Sequence, residues 1–118
     1  MNCKQLFYDA VKTRMTITLS EFDKAVVDWD FVEFDGHCVM AQNNEIHFCR
    51  QPGKYVGRNT LSSIVTHFLN KYNTIKTKVS NDFQKGHIFA LKCGFLVVGK
   101  NNFWTEYELK ENKWSKNI

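Results

Sequence analysis

Proline and glycine are scarce in this chain, with one proline and six glycines among 118 residues. Disordered linkers, collagen-like repeats and low-complexity segments need far more of both. Long apolar runs are also missing, since no stretch reaches the roughly 18 to 20 apolar residues of a membrane span. The first residues lack the basic and then apolar order of a signal peptide. We therefore expect a single soluble, cytoplasmic domain over residues 1–118, without membrane contact and with a frayed tail after about residue 110.

Close cysteine pairs are absent as well. The four cysteines, Cys3, Cys38, Cys49 and Cys93, are far apart in the sequence. A zinc knuckle or a dithiol redox site needs two cysteines separated by about two residues. The histidines also lack the spacing of three or four that places two metal ligands on one helix face. We expect ordinary reduced thiols and no metal site.

Charge is distributed unevenly around a mild net charge of +4. Acidic residues dominate positions 21–35, whereas lysine and arginine dominate from Arg50 onward. A solvated surface is the ordinary explanation of such runs. The alternative is an acidic entrance for a cationic substrate beside a basic entrance for a phosphorylated cofactor. Lysines form no concentrated stripe and the aromatic residues follow core periodicity, which disfavours a nucleic-acid partner.

Apolar periodicity predicts four helices. The first covers residues 4–12, and the second begins at Ser20, which has the spacing of a capping box with Asp23. The third is the clearest, with apolar residues at i, i+3, i+4, i+7, i+8 and i+11. Its predicted buried stripe is Leu61, Ile64, Val65, Phe68, Leu69 and Tyr72. The fourth is capped by Asn81 and ends at Gly94, and its inward His87 is predicted to be a structural core histidine.

Short extended segments alternate with these helices. The turn residues Asp35-Gly36 and Asn43-Asn44 separate runs rich in valine, phenylalanine, cysteine and isoleucine. The predicted strands cover residues 31–34, 37–41, 45–49, 74–79, 95–98 and 103–109. The resulting order of elements is α-α-β-β-β-α-β-α-β-β.

Two segments resemble the GNAT N-acetyltransferase superfamily. The first, Lys54 to Leu61, is similar to the family's Arg/Gln-x-x-Gly-x-Gly/Ala loop that leads into a helix. The second, Asn81 to Phe95, is similar to the family's asparagine, helix and Gly-Phe ending, which two strands follow. The resemblance covers residues 31–109 and implies an α+β fold with a mixed, mainly antiparallel central sheet flanked by helices. The run His-Ile-x-x-Leu-Lys before Gly-Phe is also similar to small GNAT-like proteins of tailed bacteriophages.

The resemblance implies acetyl-CoA as cofactor. A helix N-terminus offers unpaired amides and the positive end of a dipole, so a loop that allows close approach there makes a pyrophosphate site. Gly57 would allow that approach, and Lys54 and Arg58 would add charge. The candidate cofactor-binding residues are Lys54, Tyr55, Val56, Gly57, Arg58, Asn59, Thr60 and Asn81. Lys54 stands where the family has arginine or glutamine, and Asn59 where it has glycine or alanine.

Acetyl transfer needs a base, donors for an oxyanion and an acid for the thiolate. In the family, the strand before the pyrophosphate loop often supplies the base, and it parts from its neighbour to accept the pantetheine arm. In this chain that strand is 45–49, where His47 is the candidate base and Glu45, on the same face, would orient it. Glu33 is a second candidate base. Simple solvent exposure is the alternative explanation for His47, Glu45 and Glu33. Ala90 stands where the family often has a tyrosine that acts as the acid.

Two functions therefore remain open. The first is an acetyl-CoA-dependent N-acetyltransferase that acts on a primary amine, such as a protein lysine, a polyamine or a small amine. The second is a catalytically degenerate GNAT-fold module that binds a protein partner. In the last strand, Thr105 and Tyr107 share one face, and Trp104 and Glu106 share the other. If this strand lies exposed at a sheet edge, it favours a homodimer.

Overall fold

The computed structural model describes residues 2–113 and has an α+β fold. The helices are α1 Cys3–Val11, α2 Leu19–Ala25, α3 Arg58–Tyr72 and α4 Gln84–Lys92. The strands are β1 Asp30–Phe34, β2 His37–Gln42, β3 Glu45–Cys49, β4 Ile75–Ser80, β5 Leu96–Lys100 and β6 Trp104–Leu109. These elements follow the predicted order along the chain. In the described part of the chain, no helix has both the length and the apolar character needed to cross a membrane.

The strands form one mixed, mainly antiparallel sheet with the order β1-β2-β3-β4-β6-β5. Only the β3–β4 neighbours within residues 2–113 run parallel. Residues 103–109 do not lie at a sheet edge, because the last hairpin folds β6 between β4 and β5, so this strand offers no edge to a homodimer. The strand of this hairpin that does lie at an edge is β5, where Leu96 is 70% exposed and Val97 and Val98 are also exposed.

Tight turns fix the register of the first three strands. Asp35 and Gly36 both have positive φ, 51° and 80°, as a two-residue hairpin turn requires. Asn43, with φ 53°, starts the second turn. They pair Phe34 with His37 and Gln42 with Glu45. This meander follows directly from the turn residues that predicted it.

Each face of the sheet packs against its own pair of helices. On one face, the buried stripe of α3, formed by Leu61, Ile64, Val65 and Phe68, joins the core with Val39 and Ile75. On the same face α4 lies close to β4, since a Cβ at Gly86 would be 2.6 Å from Val79 Cγ1. On the other face, Phe7 of α1 and Phe22 and Val26 around α2 pack with Cys38 and Cys49. We call these the α3/α4 face and the α1/α2 face.

The predicted helix caps were wrong in two places. The capping box of α2 is formed by Thr18 and Glu21, where Thr18 Oγ1 accepts from the Glu21 amide at 3.1 Å and Glu21 Oε1 accepts from the Thr18 amide at 2.9 Å. It has the spacing predicted for Ser20 and lies two residues earlier. Helix α4 starts at Gln84 without a side-chain cap. Asn81 instead donates to Asn101 O at 2.7 Å and accepts from Thr105 Oγ1 at 2.8 Å, so it ties the end of β4 to the last hairpin.

The expectation of four reduced thiols is also wrong. Cys3 in the first turn of α1 and Cys38 in β2 form a disulfide, with Cα atoms 5.5 Å apart and a sequence separation of 35. The chain-entropy model gives a link across a loop of this length about 4 kcal/mol of stabilisation. Cys49 and Cys93 are free and buried. Distance along the sequence concealed this pairing, because α1 folds back onto β2.

The end of the described chain contacts α3. The side-chain amide of Asn112 donates to Thr66 Oγ1 at 2.7 Å and to Ser62 Oγ at 3.2 Å. These bonds hold residue 112 against the helix. The remainder of the tail that was predicted to fray, residues 114–118, lies outside the described residues.

Candidate functional site

Strands β3 and β4 part almost as soon as they meet. Among the described residues they are in register at one position, Glu45 with Lys76, where the Lys76 amide donates to Asn44 O at 2.8 Å. The backbone groups of every second residue in a strand point to the same side. Those of Phe48 in β3 and Lys78 in β4 therefore point into the gap, beyond the last pairing. An extended ligand could form backbone hydrogen bonds there.

An aromatic pair lies on one side of this gap. The rings of Phe48 and Phe89 stack with centroids 4.8 Å apart and planes 9° apart. Both pack against the core of the α3/α4 face. They connect β3 to α4, the helix that follows β4, while the two strands remain apart. On the α1/α2 face, Lys78 Nζ of β4 lies 3.8 Å from Glu45 Oε1 of β3, so a partly exposed ion pair spans the gap there.

The predicted pair Glu45 and His47 is in contact on the α1/α2 face. Because a carboxylate only accepts, His47 Nε2 donates to Glu45 Oε2, at 2.7 Å. The two side chains are 26% and 25% exposed, and the Trp29 ring lies 5.4 Å from the imidazole. The hydrogen bond from His47 is the main cause that holds the pKa of Glu45 below its usual value, against the effect of burial. Glu45 is thus ionised and accepts a hydrogen bond from His47 Nε2.

Glu33, the second predicted base, lies on the same face but away from this pair. It is exposed on β1 opposite Cys38, which in turn is opposite Cys49 of β3. Two strand spacings, about 10 Å, separate β1 from β3. The structure therefore does not bring Glu33 together with Glu45 and His47.

The loop 51–57 is anchored by a buried histidine that sequence reasoning missed. His37 Nδ1 accepts from the Gln51 amide at 2.9 Å, so its Nε2 carries the proton and donates to Tyr55 O at 3.3 Å. His37 is fully buried. The neutral imidazole thus holds the loop by hydrogen bonds at Gln51 and Tyr55. No sequence pattern marked it, because its partners are backbone groups distant in the chain.

The predicted pyrophosphate site has an open helix start. Gly57 is the N-cap of α3 and no side chain caps the helix there. A Cβ at Gly57 would meet nothing nearer than Tyr55 Cε1 at 3.9 Å, so packing does not require glycine at this position. The absence of a side chain instead leaves space in front of the first helical amides. This geometry suits an anion.

An acidic side chain already lies beside this helix start. Lys54 Nζ donates to Asp35 O at 2.6 Å and is 3.7 Å from Asp35 Oδ1. Asp35 Oδ2 accepts from Thr60 Oγ1 at 3.1 Å. The carboxylate therefore engages two of the predicted cofactor-binding residues. An exposed ion pair of this kind is worth about 1 kcal/mol or less, so a phosphate could displace it.

The other predicted cofactor-binding residues are placed as follows. Tyr55 is 81% exposed, Arg58 and Asn59 are exposed, and Val56 packs against the core of the α3/α4 face. The structure thus brings residues 54–60 together at the loop and the start of α3. Asn81 is not among them, since it is bound to the β5–β6 turn.

A cleft of about 500 Å³ opens between the segment after α1 and the end of β4. It is lined by Val11, Arg14, Met15, Ser80, Asp82 and Phe83. The Arg14 guanidinium lies 4.3 Å from the centroid of the Phe83 ring. Ser80, which donates to Asp82 at 2.6 Å, holds the pKa of that carboxyl below its usual value, and Arg14 acts in the same direction.

Arg14 also acts on the end of β3. Burial raises the pKa of the Cys49 thiol, and the positive charge of Arg14 opposes this. The guanidinium therefore lies in the cleft at the end of β4, and its charge acts on the thiol at the end of β3. Sequence reasoning missed Arg14, which belongs to no motif and reaches the site only through the packing of α1.

His87 is a satisfied structural histidine, as predicted. Its Nε2 donates to Ser80 O at 2.8 Å, so Nδ1 accepts from the Tyr107 hydroxyl at 2.6 Å. Burial raises the pKa of Tyr107. Ala90 is buried in the core and offers no acid.

Within residues 2–113, no group of three or more histidine, cysteine, aspartate or glutamate side chains could hold a metal ion. In comparisons with known proteins, no family model, no curated protein and no solved structure matches this chain. The assignment of a function rests accordingly on the geometry of the described residues.

Proposed function

We propose that this protein is an acetyl-CoA-dependent N-acetyltransferase of GNAT-like fold that acts on a primary amine. The observation that carries the proposal is the parting of the parallel strands β3 and β4 after one register position. The connections support it, because α3 follows β3 directly through the loop with Gly57, and α4 follows β4.

The residues present fit an extended anionic ligand. The backbone edge of Phe48 and Lys78 would hold its arm by hydrogen bonds, as a neighbouring strand would. The space before Gly57 and the exposed Arg58 would hold its phosphates at the start of α3. Lys54 and Thr60 would exchange the Asp35 carboxylate for a phosphate oxygen.

Acetyl-CoA, when bound, supplies the acetyl group as a thioester. His47 removes a proton from the acceptor ammonium through Nδ1, while the Glu45 carboxylate holds Nε2–H and stabilises the imidazolium. No side chain at Ala90 can protonate the thiolate. An ordinary thiol has a pKa of about 8.5, so departure near neutral pH needs little acid catalysis.

A specific observation favours the second function, a catalytically degenerate GNAT-fold module that binds a protein. Asp35 places a carboxylate beside the first turn of α3, where it already engages Lys54 and Thr60. An internal anion there competes with the phosphates of a cofactor. The buried Ala90 also favours this second function, because alanine cannot act as the acid. In this case the loop surface would contact a protein partner.

Several narrower predictions accompany either function. A homodimer would now use β5, whose exposed apolar residues form the sheet edge. The likeness to bacteriophage proteins and the cytoplasmic location stay predictions. The Cys3–Cys38 disulfide counts against the cytoplasmic location, because reducing compartments keep most cysteines as thiols.

Calorimetric titration with acetyl-CoA and with CoA tests the proposal. We expect micromolar binding by the native protein and loss of binding in Gly57→Trp, because the indole fills the space before α3. Lys100→Trp on β5 is the matched control and should bind normally. Asp35→Asn keeps a residue that tolerates positive φ and removes the competing charge, so it should bind more tightly. No heat of binding at millimolar cofactor would reject the enzyme and favour the protein-binding module.

A further inference from the structure

Cys38 lies between two other sulfur atoms. It is bonded to Cys3 of α1, and it is directly opposite Cys49 in the antiparallel pair of β2 and β3. Opposed residues of such a pair have Cα atoms about 4.5 to 5.5 Å apart, and their side chains share one face. Disulfides usually join Cα atoms about 4.4 to 6.8 Å apart. Cys49 is therefore within bonding range of the sulfur that holds Cys3.

The free thiol of Cys49 is directed toward α1. Its Sγ lies 3.8 Å from Leu6 O and 3.9 Å from Arg50 O, and Leu6 is in the helix that begins with Cys3. Cys3, Cys38 and Cys49 belong to one apolar cluster on the α1/α2 face. Cys93, the other free thiol, belongs to the core of the opposite face. The sheet thus separates Cys93 from the other three cysteines.

We propose that Cys3, Cys38 and Cys49 form a thiol–disulfide exchange site in which Cys49 displaces Cys3 from Cys38. Cys49 gives up its proton and its sulfur attacks Cys38 Sγ. The Cys38–Cys49 bond forms as the Cys3–Cys38 bond breaks, and Cys3 leaves as a thiolate that takes up a proton. One disulfide and one thiol are present before and after, so the step needs no oxidant or reductant.

The exchange moves a covalent link within the fold. The Cys3–Cys38 bond ties α1 to the sheet, whereas a Cys38–Cys49 bond would tie β2 to β3 at the last residue of β3. Helix α1 would then be held by contacts alone, such as that between Phe7 and Phe31. Cys3 would become a thiol able to form a mixed disulfide with a small external disulfide such as oxidised glutathione. This inference rests on the cysteine geometry and is independent of the proposed function.

Disulfide mapping by mass spectrometry tests the exchange. Trypsin leaves Cys38 and Cys49 in one peptide, because no lysine or arginine lies between them, so a second protease must cut after Glu45. In a glutathione redox buffer, the native protein and Cys93→Ser should contain Cys3–Cys38. Cys3→Ser should contain Cys38–Cys49 instead, and Cys49→Ser should keep Cys3–Cys38. If Cys38 and Cys49 of Cys3→Ser both stay free while the native protein oxidises, the proposal is wrong.

A second measurement uses the native fold and avoids any loss of folding in Cys3→Ser. Oxidised protein is kept with excess iodoacetamide and no reductant for hours, the time that uncatalysed disulfide rearrangement takes. We expect Cys3 to become alkylated as Cys38–Cys49 accumulates, about tenfold faster than Cys3 is alkylated in Cys49→Ser. Equal rates of Cys3 alkylation in the two proteins would overturn the exchange.

Discussion

The two junctions of β4 with its neighbours differ sharply within one sheet. Among the described residues, β4 is in register with β6 at six positions from Ile75 to Ser80, whereas its backbone is in register with β3 only at Lys76. The same strand forms both junctions, so its own propensity does not explain the difference. The partner strands differ. β6 follows β5 through a tight hairpin, whereas β3 continues into a loop that hydrogen bonds hold against His37 of β2. A parted junction here is therefore a property of the fold and not of a weak strand.

The largest expected effect tests the paired junction. Ile75→Ala removes a fully buried side chain opposite Leu109 and should lower the free energy of unfolding by about 2 to 5 kcal/mol. Leu96→Ala on the exposed edge is the matched control and should change it by about 0.5 kcal/mol or less. Urea denaturation followed by circular dichroism measures both. A small loss for Ile75→Ala would show that this junction is not the stable half of the sheet.

The next effect tests the parted junction as a catalytic site. His47→Gln should lower kcat about 100-fold or more, because general-base catalysis of this kind contributes ~10²–10⁴. The affinity for acetyl-CoA should be unchanged, since His47 is not expected to hold the cofactor. Glu33→Gln, on the same face, should retain activity. Equal losses in His47→Gln and Glu33→Gln would contradict the assignment of the base.

A smaller effect concerns pH. The folded pKa of Glu45 is lowered, so its ionisation stabilises the fold above its unfolded value of 4.5, and this contribution is lost as pH falls through the folded pKa. Glu45→Gln should therefore be less stable than the native protein at pH 6 by ~1 kcal/mol or less, and the difference should shrink toward pH 3. Urea denaturation at both pH values measures it. A difference that grows on acidification would exclude the Glu45–His47 pairing.

The smallest effect lies at the loop. Lys54→Gln breaks the exposed pair with Asp35 and should lower the free energy of unfolding by ~0.5 kcal/mol. It should also weaken acetyl-CoA binding if Lys54 exchanges Asp35 for a phosphate. A stable variant with normal binding would leave Lys54 as a purely structural contact to the β1–β2 turn.

The parts of the fold that depend on local patterns could be predicted from the sequence. Thr105 and Tyr107 are buried and Glu106 is exposed, as the alternation of the last strand indicated. The order of the elements followed from the periodicity of α3 and from turns such as Asp35-Gly36. Glu45 and His47 were placed together because they are two residues apart in one strand.

What could not be predicted depends on contacts between distant parts of the chain. The position of β6 inside the sheet is set by its pairing with β4, which no local pattern reports. The Cys3–Cys38 bond and the role of His37 arise from α1 and the loop folding back onto β2. Asn81 illustrates the same limit, because its apparent capping signal serves a hairpin some twenty residues away.

Amide hydrogen exchange of Phe48, followed by NMR with and without saturating acetyl-CoA, tests the central claim most directly. In the free protein the Phe48 amide should exchange faster than the Thr77 amide, which lies on the paired side of β4 opposite Tyr107. Acetyl-CoA should slow exchange at Phe48 by about tenfold or more and leave Thr77 unchanged, because the ligand supplies the missing partner. A Phe48 amide that is already protected, or one that bound acetyl-CoA does not slow, would contradict the account.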